Sequence, residues 1–286
     1  MSALSIRAAT RDEFSIAVDW AAQEGWNPGI EDLEAFHMAD PHGFLMGWID
    51  DVAVSSISVV RYGEAFGFLG FYIVHPEHRR SGIGLATWNA GMVHLKGRTI
   101  ALDGVVDQQE NYRKSGFDYF ARNIRFAGLA KAYSSSQTDL AIRPLVESDF
   151  PDLLKLDQLC FPADRSEFIS NWCLPKNHSA RTTHIARSAD GLVGFGTIRP
   201  CCDGYKIGPL FAHSDEAATS LFASLSATTN EGEPVILDVP EINAGAVELA
   251  TSFGLEPIFQ TARMVRGTPI DVQWEKVFGI TSFELG

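Results

Sequence analysis

The sequence predicts an α+β fold built twice, as two tandem domains that each carry a mixed, mostly antiparallel sheet flanked by helices. Three observations predict it. At roughly 150 residues per domain, 286 residues make about two. The chain also repeats itself. Ile6-Arg7 followed by Phe14 returns as Ile142-Arg143 followed by Phe150, a shift of 136. Shifts of 138 pair Gly70-Phe71-Tyr72-Ile73-Val74-His75 with Gly208-Pro209-Leu210-Phe211-Ala212-His213, and Ser115-Gly116-Phe117 with Phe253-Gly254-Leu255. Within the first copy, aromatic and β-branched runs precede helical periodicity, which suits an antiparallel meander followed by helices. The small polar stretch Ser134-Ser135-Ser136-Gln137-Thr138 suits a linker, giving domains at residues 1–133 and 139–286.

The elements of the first copy follow in order. Leu4 to Ala8 alternates as a strand, and Arg11 to Glu24 places Phe14, Ala17, Val18, Ala21 and Ala22 at helical spacing. Trp26-Asn27-Pro28-Gly29 breaks that helix, and Ile30 to Met38 makes a second, short one. Phe44 to Ile49, Val54 to Arg61 and Phe66 to Val74 form the meander, with Asp50-Asp51 as a turn. A helix from about Gly82 to Leu95, the strand Thr99 to Leu102, a helix around Gln108 to Ser115 and a last strand pair complete the copy.

The stretch that carries chemistry runs from Gly70 to Leu85. A strand ends, a loop brings Arg79 and Arg80, and Gly82 and Gly84 open a helix. The first N–H groups of a helix have no intrahelical partner and its dipole favours anions, while glycine removes the Cβ atoms that would block close approach. Arg79 and Arg80 add charge-assisted donors. The segment therefore reads as a diphosphate cradle formed by Arg79, Arg80, Ser81, Gly82, Ile83 and Gly84. A dinucleotide fingerprint would need a third glycine where Thr87 stands; Asp103 lies at the spacing of its acidic residue. The charged His75 to Ser81 segment and the preceding meander do not fit that parallel architecture.

Arg79-Arg80-Ser81-Gly82-Ile83-Gly84 resembles the acetyl-CoA loop of the GNAT superfamily of acyltransferases, and Val74-x-Pro76-x-x-Arg79 is similar to the residues that precede it there. Tyr112-Arg113-Lys114-Ser115-Gly116-Phe117 resembles the family's second landmark, whose tyrosine faces the thioester sulfur. The resemblance covers roughly residues 4 to 130. It implies acetyl-CoA as cofactor, Tyr112 as the catalytic acid for the departing thiolate, and Tyr72, Ile73 and Val74 as the strand end that meets the pantetheine and the carbonyl. It also implies an acceptor pocket at Trp26 and Asn27; a plain helix-ending turn is the competing account of those two. Tyr112 has an alternative as a packing aromatic. Where members often carry an asparagine that bonds the cofactor arm, this chain has Val105, with Gln108, Gln109 or Asn111 as substitutes. In the second copy Asn243 fits that position, but Ala250 replaces the tyrosine and Ala217 to Phe222 replace the loop, so the copy reads as degenerate.

The implied reaction is transfer of an acetyl group from acetyl-CoA to a small-molecule primary amine by direct attack. The alternative is a non-catalytic acyl-CoA sensor or scaffold. Glu64 and Asp103 flank the expected cleft but read as surface or structural carboxylates. Asp164 reads as a helix cap with Arg165 exposed, and Trp274, Phe278 and Phe283 as core cover. Gly67 and Gly70 allow a bulge or close backbone approach in their strand.

Composition narrows the partners. A net charge of −13, with the larger share in the second copy, argues against nucleic acid and anionic membranes as partners. Cys160, Cys173, Cys201 and Cys202 form no C-x-x-C pair and read as reduced thiols. Scattered histidines without ligand spacing predict no metal. No apolar run or signal-peptide core is visible, so a cytoplasmic protein is expected, and two fused copies favour a monomer over a dimer.

Overall fold

The computed structural model describes residues 3–129, 138–174, 180–230 and 232–286; linker residues Ser134 to Gln137 lie outside them. The first copy forms β1 (Ser5–Ala8), α1 (Arg11–Gln23), α2 (Asp32–Ala39), β2 (Phe44–Ile49), β3 (Val52–Tyr62), β4 (Phe66–Val74), α3 (Ile83–His94), β5 (Thr99–Val105), α4 (Gln109–Lys114) and β6 (Asp118–Gly128). The second forms β7 (Ala141–Pro144), α5 (Phe150–Cys160), α6 (Ser166–Cys173), β8 (Thr182–Ser188), β9 (Gly191–Pro200), β10 (Tyr205–Ala212), α7 (Asp215–Ser226), β11 (Val235–Pro240), α8 (Ala244–Ser252), β12 (Glu256–Arg266) and β13 (Val277–Gly279). The α+β class and the repeat are as expected. Local chemistry sets the ends: Thr10 and Glu13 form a reciprocal capping box that starts α1. The expected last strand pair of the first copy is instead one long strand, β6.

The two copies do not build separate sheets. All strands join one sheet in the order β1-β2-β3-β4-β5-β12-β6-β11-β10-β9-β8-β7, with β13 added against β10. β12 of the second copy lies between β5 and β6 of the first, pairing Thr261 with Val105 and Gln260 with Ile124. β6 in turn lies between β12 and β11, pairing Leu237 with Phe126. The long strands β6 and β12 each complete the other copy's part of the sheet, because neither β5 nor β11 has another neighbour on that side.

Helices cover both faces. On one face α1 and α2 meet α5 and α6 in a core shared by the copies, where Phe36 stacks on Trp172 at 5.6 Å. On the other face α3 and α4 cover one core around Trp88, and α7 and α8 another around Phe222 and Phe253. Buried ion pairs tie the copies together. Arg263 donates to both oxygens of Asp103 at 2.7 and 2.6 Å, Arg125 to both of Asp238 at 2.6 and 2.8 Å, and Arg199 to Asp32. Arg165, expected to be exposed, is buried: it pairs with Asp157 at 2.7 Å, donates to Thr281 and the Gly286 carbonyl, and lies over the Phe161 ring. A guanidinium tolerates this position because these acceptors take its N–H groups.

Candidate active site

The parallel pairing of β4 with β5 runs from Phe66 and Thr99 to Leu69 and Leu102 and stops there. Beyond it the strands diverge. A bulge helps to turn β4 away, for Ser56 pairs with Ile73 but Ser58 with Gly70, and Phe71 takes a φ of 44° while its carbonyl accepts from the Ser56 hydroxyl at 2.8 Å. The gap opens into a cleft of about 370 Å³, large enough for a small ligand. Tyr72, Ile73, Val74, Val105, Gln108 and Tyr112 line it, as do Trp26 from the break after α1 and Thr261, Phe283 and Glu284 from the second copy.

The glycine loop adjoins the cleft at Val74. Gly82 caps α3 with a φ of 88°, and Arg80 also has a positive φ of 65°. Among the described residues no hydrogen bond occupies the N–H groups of Gly82, Ile83, Gly84 or Leu85, the first such bond of the helix being Ala86 N–H to the Gly82 carbonyl. A Cβ at Gly84 would lie 2.9 Å from the Tyr72 hydroxyl and 3.2 Å from Val74, so the loop and the strand end are contiguous. Ser81 donates to the His78 carbonyl at 2.6 Å and braces the loop. Arg80 is exposed, whereas Arg79 is tethered: it pairs with Glu24 and its Nε donates to the Val74 carbonyl at 3.0 Å. These free amides and the absent Cβ atoms fit a diphosphate.

Tyr112 sits in the cleft wall with its ring on Gly104, where a Cβ would come within 2.2 Å, and stacked on Trp88 at 5.8 Å. Its hydroxyl has no hydrogen-bond partner among the described residues, and burial, with Tyr72 close by, pushes it up to about 12. It therefore holds its proton through the neutral range. Asn111 donates to Gln108 at 2.8 Å; Gln108, not Asn111, lines the cleft.

Several expected residues stand elsewhere. Both polar atoms of the Asn27 amide are bound to the backbone of Asp203, at 2.8 and 2.9 Å, so the side chain is a clasp between the copies and is absent from the lining. Trp26 does line the cleft, held by its carbonyl, which accepts from Arg125 at 2.7 Å. Glu64 lies in the turn before β4, at the strand end away from the cleft, while Asp103 does line the cleft but is committed to Arg263 and Asn123. Phe283 is buried in the core as expected, and it also forms cleft wall under the Arg125 guanidinium, 4.6 Å from its ring. Sequence reading missed Thr261, Phe283 and Glu284 as cleft residues because the exchange of strands brings Thr261 here and the packing of the final turn on Gly70 brings Phe283 and Glu284.

The second copy has the corresponding gap, and its own chain fills it. β13 pairs antiparallel with β10, and Ile280 N–H donates to the Asp238 carbonyl of β11. Asn243, which matches the family's cofactor-arm position, donates instead to the Val277 carbonyl of β13 at 3.0 Å. The first turn of α7 is self-capped, the Ser214 hydroxyl accepting from Ala217 N–H.

A splayed strand pair leading from a glycine-capped helix to a buried tyrosine is the frame of an acyl-CoA-dependent acyltransferase. Residues 5–117 match the acetyltransferase (GNAT) family, and residues 153–279 match an acetyltransferase (GNAT) domain. The chain belongs to the GNAT family, in tandem form, and is an enzyme of that acyltransferase type. It is 31% identical over 282 residues to holothin acyltransferase of Pseudoalteromonas sp. (strain SANK 73390), covering 98% of this chain and 94% of the relative. It is 27% identical over 196 residues to the uncharacterized N-acetyltransferase YitH of Bacillus subtilis, covering 65% and 64%. A solved protein from Pyrococcus horikoshii superposes with a TM-score of 0.81 at 21% identity over 99% of this chain and 96% of its own. A tandem GNAT protein from the clavulanic acid biosynthesis pathway has a TM-score of 0.66 at 12% identity, covering 93% and 100%. Among the described residues no helix is long and apolar enough to cross a membrane.

Proposed function

We propose that the protein is an N-acyltransferase that moves an acetyl group from acetyl-CoA to a primary amine of a small molecule, with residues 1–133 as the catalytic unit. Residues 139–286 are then a degenerate unit that completes the sheet and walls the cleft. One observation carries the reading: the β4–β5 gap is open and leads to unoccupied amides at Gly82 to Leu85, whereas the β10–β11 gap is filled by β13. The amides of Gly82, Ile83 and Gly84, with Arg80, would hold the diphosphate, and the edge of β4 at Tyr72, Ile73 and Val74, beyond its pairing with β5, would hold the pantetheine. Arg79 acts from its tether to Glu24, and Ser81 by bracing the loop. Asn111 contributes by fixing Gln108, and Asn27 by fixing the backbone beside Trp26.

Acetyl-CoA, when bound, supplies an activated thioester. Attack by a neutral amine forms the C–N bond and breaks the C–S bond, and Tyr112 gives its hydroxyl proton to the departing sulfur. The amine's surplus proton leaves through the cleft to solvent. A relative along the whole chain is named as the acyltransferase of holothin, which supports transfer to a discrete acceptor. The interleaved copies supply each other's sheet edges, which supports a monomer. Calorimetry with acetyl-CoA, followed by thiol release across an amine panel, tests the reading. Binding with amine-dependent release is expected; binding without release would leave a sensor, and no binding would end the proposal.

A further inference from the structure

The acceptor end of the cleft contains a carboxylate that the reaction described above does not use. Ser282 to Gly286 forms a tight turn, closed by Gly286 N–H to the Ser282 carbonyl and by Leu285 N–H to the Ser282 hydroxyl. This turn carries Phe283 and Glu284 from the second copy against β4 of the first. The contact is close, since a Cβ at Gly70 would lie 2.1 Å from the Glu284 carbonyl oxygen. Glu284 is 4% exposed and lines the cleft, yet no hydrogen bond or ion pair reaches its carboxylate from any described residue.

The neighbouring cations are already committed. Arg125 is bound to Asp238 and to the Trp26 carbonyl, Arg199 to Asp32, and Lys206 to the Asn27 carbonyl at 3.0 Å. A second polar group also stands without a partner in this lining, for the Thr261 hydroxyl is buried and makes no hydrogen bond. Buried polar groups normally find partners, so two residues of one cleft lining with unpartnered polar groups point to a ligand that supplies them. The aromatic rings of Trp26, Phe259 and Phe283 also line the cleft. Of the three carboxylates in the lining, Glu24 is paired with Arg79 and Asp103 with Arg263, and aromatic walls beside the unpaired Glu284 select a cation carried on a flat apolar body.

Building on the acyltransferase reading, we propose that Glu284 binds the ammonium group of the acceptor, an arylalkyl primary amine whose ring lies among Trp26, Phe259 and Phe283; the bound ammonium loses one proton to solvent through the cleft and then attacks as the neutral amine. Thr261 accepts a second N–H of the same group. The second copy is thereby the source of acceptor selection, through Glu284 and Thr261.

The test compares 2-phenylethylamine, a cation at neutral pH, with 2-phenylethanol, its neutral counterpart of the same ring and chain. Dissociation constants are measured by calorimetry on the wild-type protein and on Glu284→Gln, with acetyl-CoA titrated into both. The wild type is expected to bind the amine at least about tenfold more tightly than the alcohol, the effect of one hydrogen bond to a charged group. Glu284→Gln is expected to erase that preference with acetyl-CoA affinity unchanged, and Glu284→Asp to restore part of it. A wild type without the preference, or a preference surviving in Glu284→Gln, overturns the proposal. So does equal weakening of amine and alcohol, which would make Glu284 a counter-charge for Arg125, Lys206 and Arg199. Failure of the wild type to bind acetyl-CoA would instead overturn the donor assignment.

Discussion

Substituting alanine for Gly70 tests how tightly the second copy's final turn is seated in the first copy's cleft. The new methyl would lie 2.1 Å from the Glu284 carbonyl oxygen, 2.9 Å from its carbon and 3.0 Å from its Cα. All three are backbone atoms. The strand and the turn must separate by more than about 1 Å to reach ordinary contact, and the turn is fixed by Tyr62, which donates to the Leu285 carbonyl at 3.2 Å. Overpacking of this kind costs about 1–3 kcal/mol, and a backbone clash belongs at the upper end. Replacing glycine in a strand returns roughly 0.5 kcal/mol. The net expectation is a loss of about 2 kcal/mol, read from the urea midpoint with an unchanged slope. Gly67 on the same strand is the internal control, because its Cβ would meet chiefly a Leu95 methyl at 2.6 Å, the movable end of a side chain. Gly67→Ala should cost about 1 kcal/mol or less. Equal losses in the two variants, or a Gly70→Ala protein as stable as wild type, would refute the placement of the turn.

Tyr112→Phe should lower turnover by about 10²- to 10³-fold at neutral pH with acetyl-CoA affinity unchanged, measured by steady-state kinetics and calorimetry. Its stability at pH 7 should match wild type within about 0.5 kcal/mol, since the hydroxyl makes no hydrogen bond to lose among the described residues. The same residue sets an alkaline limit. Burial raises its pKa to about 12, so the stabilisation from the neutral phenol is complete below pH 10 and is lost as pH climbs towards 12. That loss reaches about 2 kcal/mol by urea titration at high pH and should be missing from Tyr112→Phe. Gly82→Val forces a β-branched residue to a φ of 88° and should weaken acetyl-CoA binding at least about tenfold while costing about 1–3 kcal/mol of stability. Arg263→Met leaves the buried Asp103 carboxylate with Asn123 alone, and should cost about 3–5 kcal/mol in a single unfolding transition that both copies share.

Much of the fold was legible because its signals are local. Glycines at 82 and 84 after a strand, and Tyr112 ahead of Gly116-Phe117, lie within short windows, and the meander strands Phe44–Ile49 and Phe66–Val74 fall where their aromatic and β-branched runs put them. What escaped depends on contacts between distant segments. Arg165 looked like a surface residue because its partners, Asp157, Thr281 and the Gly286 carbonyl, gather only in the folded chain. Asn27 looked like a ligand group because its amide gave no sign of Asp203, 176 residues away. Phe283 and Glu284 carry no motif and reach the cleft only through the packing of their turn on Gly70. The exchange of β6 and β12 could not be read from the repeat: the two strands correspond at the 138-residue offset, but correspondence does not report which copy each one joins.

The interleaving of β6 and β12 governs how the polypeptide can be made. Until residues 256–266 emerge from the ribosome, the gap beside β5 has nothing to close it, and β6 has β11 alone to pair with. A nascent chain halted near the middle thus presents two raw edges that invite misassembly with other copies. Swapping in one half from a different relative would meet the same obstacle, since the seam passes through the pairing itself and both sides must change together.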